Sequence, residues 1–128
     1  MYTGVIIKES LENASVLKRL NIINTKIEPV TAKHKTPWVS RWTLHTVEID
    51  ERHADKIAQE IAQSLDKQHQ WYADFKNERI HYIIFRNKVF KVDRSKKEEY
   101  DRAIAYGIAL GIPDYQVDFS PYVHAWTR

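Results

Sequence analysis

The hydrophobic pattern is most regular in the middle of the chain. Between residues 51 and 66, apolar side chains recur at spacings of three and four residues, which aligns them along one side of an α-helix. These residues are Ala54, Ile57, Ala58, Ile61, Ala62 and Leu65. The opposite side carries charged and amide side chains, as is typical of a solvated surface. We therefore predict a helix over 51–66 whose apolar side packs against a β-sheet.

Runs of β-branched and aromatic residues predict strands on both sides of this helix. The predicted strands are the run TGVIIKES near the N-terminus and residues 22–30, 42–49, 71–76, 80–86 and 89–93. Pro29 ends the second strand. Turns are expected around Asn77-Glu78 and Asn87-Lys88, because Asn tolerates the positive φ of tight hairpins.

Two further helices complete the pattern. A short one is predicted after Ser10, because Leu11, Val16, Leu17 and Leu20 follow roughly helical spacing. The last runs from about Lys97 to Leu110 and ends at Gly111 and Pro113. The aromatic tail that follows is expected to pack on the domain.

The resulting order is β-α-β-β-α-β, followed by a hairpin and a third helix. The first six elements match the split βαβ arrangement of ferredoxin-like folds. We therefore predict an α+β fold, with a ferredoxin-like βαββαβ core, a C-terminal β-hairpin extension and a third helix. The chain of 128 residues is short enough to form a single domain over 1–128.

Alternation within residues 71–93 divides the strands into two faces, and both are substantially apolar. One face carries Trp71, Ala73, Phe75, Ile80, Tyr82, Ile84 and Val89. The other carries Tyr72, Asp74, Lys76, His81, Ile83, Phe85, Phe90 and Val92. We therefore expect the 51–66 helix to cover the first face and the 97–110 helix to cover part of the second. Most of this segment is then core.

Composition narrows the classes of function. The chain contains no cysteine, which excludes disulfides, thiolate metal sites and thiol nucleophiles. The N-terminus lacks a basic region followed by a long apolar run, and no stretch approaches the roughly 18 apolar residues that span a bilayer. We therefore expect a cytoplasmic protein that makes no membrane contact.

Motifs for cofactors are absent from the sequence. Only Gly4, Gly107 and Gly111 occur, so there is no glycine-rich phosphate-binding loop, and neither a serine elbow nor an H-E-x-x-H pair is present. The six histidines lack the short spacings that bring two imidazoles to one metal ion. We expect no cofactor and no metal site.

One candidate catalytic pair lies in the predicted hairpin. A two-residue or a four-residue loop between strands 71–76 and 80–86 places Asp74 directly across from His81. A carboxylate opposite an imidazole can fix its tautomer and raise its basicity, as a general base requires. The alternative is a structural cross-strand pair, which we prefer.

Positive charge is concentrated in one stretch of the chain. Residues 76–97 contain eight basic and two acidic residues, whereas the net charge of the whole chain is +3. Tyr72 and Tyr82 lie next to these basic residues, and their rings can stack on bases or sugars. The candidate ligand-binding residues on this basic hairpin rim are Tyr72, Lys76, Tyr82, Arg86, Lys88 and Lys91. Weak binding of nucleic acid or another polyanion is one interpretation, and a solvated rim is the preferred alternative.

The block WYADFKN…HYIIFRNKVFKVDR, followed by EYDRAIAYGIALGIPDYQVDF, resembles a group of small uncharacterised prokaryotic proteins. The resemblance covers roughly the second half of the chain. It implies a single compact domain, and it carries no activity, ligand or catalytic residue.

Two classes of function follow from these patterns. The first is a non-catalytic binding or assembly module that contacts a partner through the basic rim or an edge strand. The second is a small enzyme that uses Asp74 and His81 on an anionic substrate. Apolar surface left by a small sheet domain further predicts a homodimer.

Overall fold

A computed structural model describes residues 1–30, 39–69 and 71–112 of the chain. Its centre is one six-stranded sheet in which all neighbouring strands are antiparallel. The strands are β1 (Tyr2–Ile7), β2 (Asn21–Pro29), β3 (Arg41–Ile49), β4 (Tyr72–Lys76), β5 (Ile80–Phe85) and β6 (Lys88–Asp93), in the order β2-β3-β1-β4-β5-β6. Two α-helices, α1 (Ala54–Ser64) and α2 (Lys97–Ala109), accompany the sheet. The predicted α+β class is confirmed.

The connection between β1 and β2 differs from the prediction. In place of an α-helix it contains two 3-10 helices, Lys8–Ser10 and Ala14–Arg19. Between them, Leu11 forms an antiparallel bridge with Leu65, which holds the chain extended and leaves room for only a short helix. Ser10 does not cap a helix as expected, since its buried hydroxyl donates to the carbonyl oxygen of Ile7 at 2.6 Å.

The two faces of the sheet carry two separate apolar clusters, as the alternation predicted. The first lies under α1 and includes Tyr2, Ile61, Phe75, Tyr82 and Ile84. The second lies under α2 and is formed by Ile83, Phe85, Val92, Tyr100, Ala103 and Ile112. Strands β4 and β5 therefore have helical cover on both faces.

Contacts at both ends of α1 fix its position on the first face. A 3-10 turn, Glu51–His53, leads into the helix, and the carboxylate of Asp50 accepts a hydrogen bond from the backbone N–H of Arg52 in this turn at 2.8 Å. At the other end, the guanidinium of Arg86 donates to the carbonyl oxygens of Gln63 and Leu65 at 2.6 and 2.7 Å. These carbonyls lie at the end of the helix, where partners within the helix are lacking. Arg86 thus ties β5 to the C-terminal end of α1.

Close packing of β1 against β4 requires glycine at position 4. Gly4 pairs with Phe75, and a Cβ atom at Gly4 would lie 2.1 Å from the carbonyl oxygen of Asp74. A neighbouring backbone cannot move out of the way as a flexible side chain can. Gly4 therefore allows the two strands to approach, in keeping with the role of glycine at close backbone contacts.

Two parts of the chain that drew predictions lie outside the described residues. They are the aromatic tail from residue 113 onward, with Pro113 itself, and residues 31–37, a polar connection that contains Pro37. Within the described ranges, the structure has no helix that is both long enough and apolar enough to cross a membrane.

Candidate functional site

Asp74 and His81 do meet in the structure. Nε2 of His81 lies 2.6 Å from Oδ2 of Asp74, and Nδ1 of His81 lies 3.1 Å from the hydroxyl of Tyr100 on α2. The rings of His81 and Tyr100 are arranged edge to face with their centroids 5.6 Å apart. One network of a carboxylate, an imidazole and a phenol therefore links β4, β5 and α2.

The strand register behind this contact is two residues away from the predicted one. Asp74 pairs with Ile83, and His81 pairs with Lys76, so Asp74 and His81 are diagonal neighbours rather than directly opposite. The side chain of Asn77 causes the difference, because it accepts hydrogen bonds from the backbone N–H groups of Arg79 and Ile80. A shift of two residues keeps every side chain on its predicted face.

The network is enclosed. Asp74 is 7% exposed, His81 is 2% exposed and Tyr100 is 1% exposed. Hydrogen bonding of this kind satisfies polar groups that would otherwise destabilise a core. An acid/base pair needs a substrate within hydrogen-bond reach, and burial under α2 leaves no such approach among the described side chains. The geometry therefore favours the structural interpretation, in which the network fastens α2 to the sheet.

The basic residues of the hairpin do not form one rim. Because β5 and β6 are antiparallel, the register places Ile80 opposite Asp93 at one end and Phe85 opposite Lys88 at the other. Five residues of strand separate these two ends by about 17 Å. Lys76 and Arg79 thus lie at one end of the hairpin, whereas Arg86 and Lys88 lie at the opposite end. The predicted single basic surface is wrong for this reason.

Most of the candidate ligand-binding side chains already have partners within the fold. Arg86 caps α1, as described above. Nζ of Lys91 lies 3.4 Å from the carboxylate of Asp55 and over the ring of Tyr82, and Nζ of Lys88 lies over the ring of Phe90. The ring of Tyr82 is buried in the α1 cluster, and Tyr72 is half-buried in the α2 cluster. The stacking predicted for the two tyrosines thus lacks exposed rings, and binding of polyanions stays a prediction.

Tyr82 and the ion pair between Lys91 and Asp55 shift the pKa values of the two acidic groups in opposite directions. The hydroxyl of Tyr82 donates a hydrogen bond to the carboxylate of Asp55, and this bond, with help from Lys91, lowers the pKa of Asp55. Burial, together with the same bond, raises the pKa of Tyr82 well above its ordinary value. Both shifts favour the ionised carboxylate and the neutral phenol, so that Tyr82 anchors Asp55 on the first turn of α1.

Edge strand β2 is the feature that the sequence patterns did not single out. Eight of its nine residues are exposed, whereas five of the six residues of β5 are buried. Ile22 is 39% exposed, Ile23 is 51% exposed and Ile27 is 59% exposed. An uncovered edge strand of this length presents unpaired backbone groups together with apolar side chains. In the sequence, this exposure was indicated by the polar residues that lie between the isoleucines of β2.

The register with β3 assigns each side chain of β2 to a face. Ile22 pairs with Val47, which lies in the α1 cluster, and Thr25 and Ile27 pair with His45 and Thr43 on the same side. The other side carries Asn24, Lys26 and Glu28. A bulge lies between Ile22 and Asn24, after which the ladder continues without a break to Pro29. A regular segment from Asn24 to Pro29 therefore remains available at the edge.

A cavity of about 430 Å³ lies where β2 begins, next to α1. Its walls come from the end of the second 3-10 helix, the start of β2, the end of β3 and one side of α1. The lining residues are Met1, Arg19, Leu20, Asn21, Glu48, Ile49, Asp50, His53, Lys56, Ile57 and Glu60. The cavity is thus apolar in part, with charged groups along α1. Sequence patterns did not indicate the cavity, because its walls combine Met1, residues 19–21 and residues 48–60, which are separated along the chain.

Charged groups around the cavity are partly neutralised by one another. Arg19 donates to Oε1 of Glu60, while Oε2 of Glu60 is buried and has no hydrogen-bond partner among the described residues. Hydrogen bonds from Arg52 lower the pKa of Asp50, and a hydrogen bond to Glu51 raises the pKa of the N-terminal amine. Lys56 forms no ion pair within the described ranges.

Neither metal chemistry nor a known relative identifies the protein. The described residues include no group of three or more His, Asp or Glu side chains that could hold a metal ion. Comparison of the chain with known protein families, with curated proteins and with solved structures found no match. The resemblance of the second half to small prokaryotic proteins therefore stays a prediction.

Proposed function

We propose that this protein is a non-catalytic assembly module that forms a homodimer through its edge strand β2. The exposure of β2 carries the proposal, because a regular strand with uncovered isoleucines at the end of a sheet is a template for pairing with another strand. A symmetric dimer needs a surface that is complementary to itself. The segment from Lys26 to Glu28 has this property.

Antiparallel pairing centred on Ile27 satisfies the side chains on both faces of β2. In this register Ile27 lies opposite Ile27 of the second copy, which covers an apolar side chain that is exposed in the monomer. Lys26 of each copy lies opposite Glu28 of the other, on the face away from α1. Opposite charges across a strand pair are favourable, and like charges are unfavourable. The same contact therefore occurs twice around the two-fold axis.

Features at both ends of β2 limit how far such pairing extends. The bulge between Ile22 and Asn24 interrupts the ladder at one end, and Pro29 lacks a backbone N–H at the other. Natural sheets use bulges and proline in this way to prevent open-ended association. The remaining segment supports a closed dimer rather than a fibre.

A charge exchange tests this register. We expect light scattering with size-exclusion chromatography to report twice the monomer mass of 15.2 kDa at high protein concentration. Lys26→Glu and Glu28→Lys each place like charges opposite one another, so that each should weaken the dimer by about tenfold. The double variant restores opposite charges and should restore the dimer. Lys97→Glu on α2, at the other edge of the sheet, is the matched control.

Two results would contradict the proposal. A wild-type protein that stays monomeric at the highest soluble concentration would exclude self-association. A dimer that survives both single substitutions, and also Ile27→Glu, would place the interface elsewhere on the molecule.

We infer in addition that β1 to β4 and α1 form a core of the ferredoxin-like type. The order β2-β3-β1-β4, antiparallel throughout, supports this inference, as does the position of α1 between β3 and β4. The 3-10 helices after β1 then take the place of the first helix. In this arrangement β2 is necessarily an edge, which connects the fold to the proposed interface.

A further inference from the structure

Two arginines lie opposite one another at the end of the sheet where β5 begins and β6 ends. The backbone N–H of Arg94 donates to the carbonyl oxygen of Arg79 at 2.9 Å, one residue beyond the last pair of the β5–β6 ladder. Successive side chains of a strand alternate between faces, so both arginines share the face of His81 and Val92. Like charges directly opposite one another on neighbouring strands are destabilising. An anion bound between the two side chains would relieve this repulsion.

The side chain of Arg94 extends from β6 towards β4. Its Nη1 donates to the carbonyl oxygen of Asn77 at 2.7 Å. The guanidinium therefore crosses the start of β5 and reaches the residue that follows Lys76, the last residue of β4. Lys76 pairs with His81, so its side chain lies on the same face as the two arginines. Three neighbouring strands thus bring three cationic side chains to one end of the α2 face.

Hydrogen bonds of Asn77 fix the backbone at this end. Its side chain accepts from the backbone N–H groups of Arg79 and Ile80 at 2.9 and 2.8 Å, and its own N–H donates to the carbonyl oxygen of Ile80 at 3.0 Å. Groups that are already ordered before a ligand arrives lose less conformational entropy on binding. The strand ends that carry the cationic side chains are therefore held in place without a ligand.

The three cationic groups keep donors that solvent can reach. Lys76 and Arg79 are exposed, and none of the three forms an ion pair in the described part of the chain. Nε of Arg94 is enclosed and its Nη1 is occupied by Asn77, but Nη2 is neither enclosed nor hydrogen-bonded there. Guanidinium groups bind phosphate oxygens through paired hydrogen bonds, and an ammonium group adds a point charge.

The acidic side chains nearby do not neutralise this cluster. Asp93 lies on the opposite face by alternation, and its carboxylate accepts hydrogen bonds from the turn that follows β6. Lysines at the start of α2 pair with Glu99 and Asp101, and Glu99 also accepts a hydrogen bond from the backbone N–H of Asp93. Glu78 and Glu98 are exposed, and neither forms an ion pair with the three cationic groups.

We propose that this end of the sheet binds the dianionic phosphate group of a phosphate monoester through Arg79, Arg94 and Lys76. One small group fits better than a polymer, because Arg86 and Lys88 lie about 17 Å away at the other end of the hairpin. The site is independent of the proposed dimer, since it lies on β4, β5 and β6, whereas β2 is the opposite edge of the sheet.

Titration with methyl phosphate at constant ionic strength, followed by backbone amide shifts in NMR spectra, tests the site. We expect saturable shifts at Asn77, Arg79 and Arg94, and none at Asn87 and Lys88. Dimethyl phosphate has one negative charge less and resembles the diester of a nucleic-acid backbone. It should bind about tenfold more weakly, because part of the charge-assisted contact is lost.

Variants assign the binding residues. Arg79→Gln should weaken binding of methyl phosphate by about tenfold. Since it also removes a like-charge contact, it should not lower the melting temperature of the free protein. Arg94→Lys keeps the charge but loses the paired donors, and it should weaken binding as well. Lys88→Gln, which changes an exposed lysine at the other end of the hairpin, is the matched control and should leave the affinity unchanged.

The proposal is overturned by any of three results. The first is the absence of saturable shifts at Asn77, Arg79 and Arg94 with methyl phosphate. The second is equal affinity for methyl and dimethyl phosphate, which would show that the dianionic group is not recognised. The third is an Arg79→Gln variant that melts at a lower temperature but binds methyl phosphate as the wild type does, which would assign Arg79 a purely structural role. Because the Arg79 variant leaves the contact between Arg94 and Asn77 in place, it tests the site even if Arg94→Lys fails to fold.

Discussion

Strands β5 and β2 belong to the same antiparallel sheet, but their surroundings are opposite. Five of the six residues of β5 are buried, because α1 covers one face of the strand and α2 covers the other. Strand β2 has eight exposed residues of nine and no neighbour on its outer side in the described part of the chain. The difference shows that stability resides at the centre of the sheet, where helices cover both faces, while β2 contributes surface.

Replacing an isoleucine by alanine in each strand should give the largest difference in the free energy of unfolding between β5 and β2. Ile84→Ala in β5 removes a fully buried side chain and should lower the free energy of unfolding by about 2–5 kcal/mol, through lost burial and the cavity left behind. Ile27→Ala in β2 should change it by less than about 0.5 kcal/mol when the protein is dilute enough to be monomeric. Urea denaturation measures both.

Similar losses in the free energy of unfolding for Ile84→Ala and Ile27→Ala would contradict this difference between the strands. A large loss for Ile27→Ala in dilute protein would mean that β2 is covered. Ile61→Ala serves as a further reference, since Ile61 is fully buried in α1 and the same range of about 2–5 kcal/mol applies.

The buried network should contribute an intermediate amount. His81→Leu leaves Asp74 and Tyr100 without their imidazole partner, and we expect a loss of about 1–3 kcal/mol in urea denaturation. Tyr100→Phe removes only one hydroxyl and should cost about 0.5–1.5 kcal/mol. If His81→Leu were as stable as the wild type, the network would not be what fastens α2 to the sheet.

The ion pair near Tyr82 should contribute the smallest effect, and its pH dependence has a defined sign. The pKa of Asp55 is lowered in the folded state, so its stabilising contribution is present above the unfolded pKa near 3.8 and is lost as pH falls through the folded value. Tyr82→Phe removes the hydrogen bond that is the largest cause of the lowered pKa of Asp55. We expect the stability difference between wild type and Tyr82→Phe to shrink as pH falls below about 4.

Thermal unfolding of both proteins from about pH 6 to about pH 2 measures this difference. Because Asp55 is largely exposed, screening by salt should reduce the difference further. A difference that stays constant across this range would assign the effect of the substitution to packing of the phenol rather than to the ion pair.

Local patterns predicted most of the elements and both of the apolar faces. The spacing of Ile57, Ile61 and Leu65 predicted α1, and the alternation through residues 71–93 assigned side chains to the correct sides. Both signals are local, because helical and strand periods place neighbouring residues relative to one another. The same alternation predicted helices on both faces, which the two clusters confirm.

The remaining features depended on contacts that the patterns do not specify. Within the hairpin, the side chain of Asn77 set the register, and a bridge between distant segments, from Leu11 to Leu65, shortened the predicted first helix. Whether a strand lies in the centre or at an edge depends on the order of all strands, so the polar residues within 21–29 indicate exposure but do not place β2 at the edge. The separation of Arg79 from Lys88 follows from antiparallel pairing, and the cavity exists only where Met1, residues 19–21 and residues 48–60 meet. Periodicity is a property of a segment, whereas register, edges and cavities are properties of the assembled sheet.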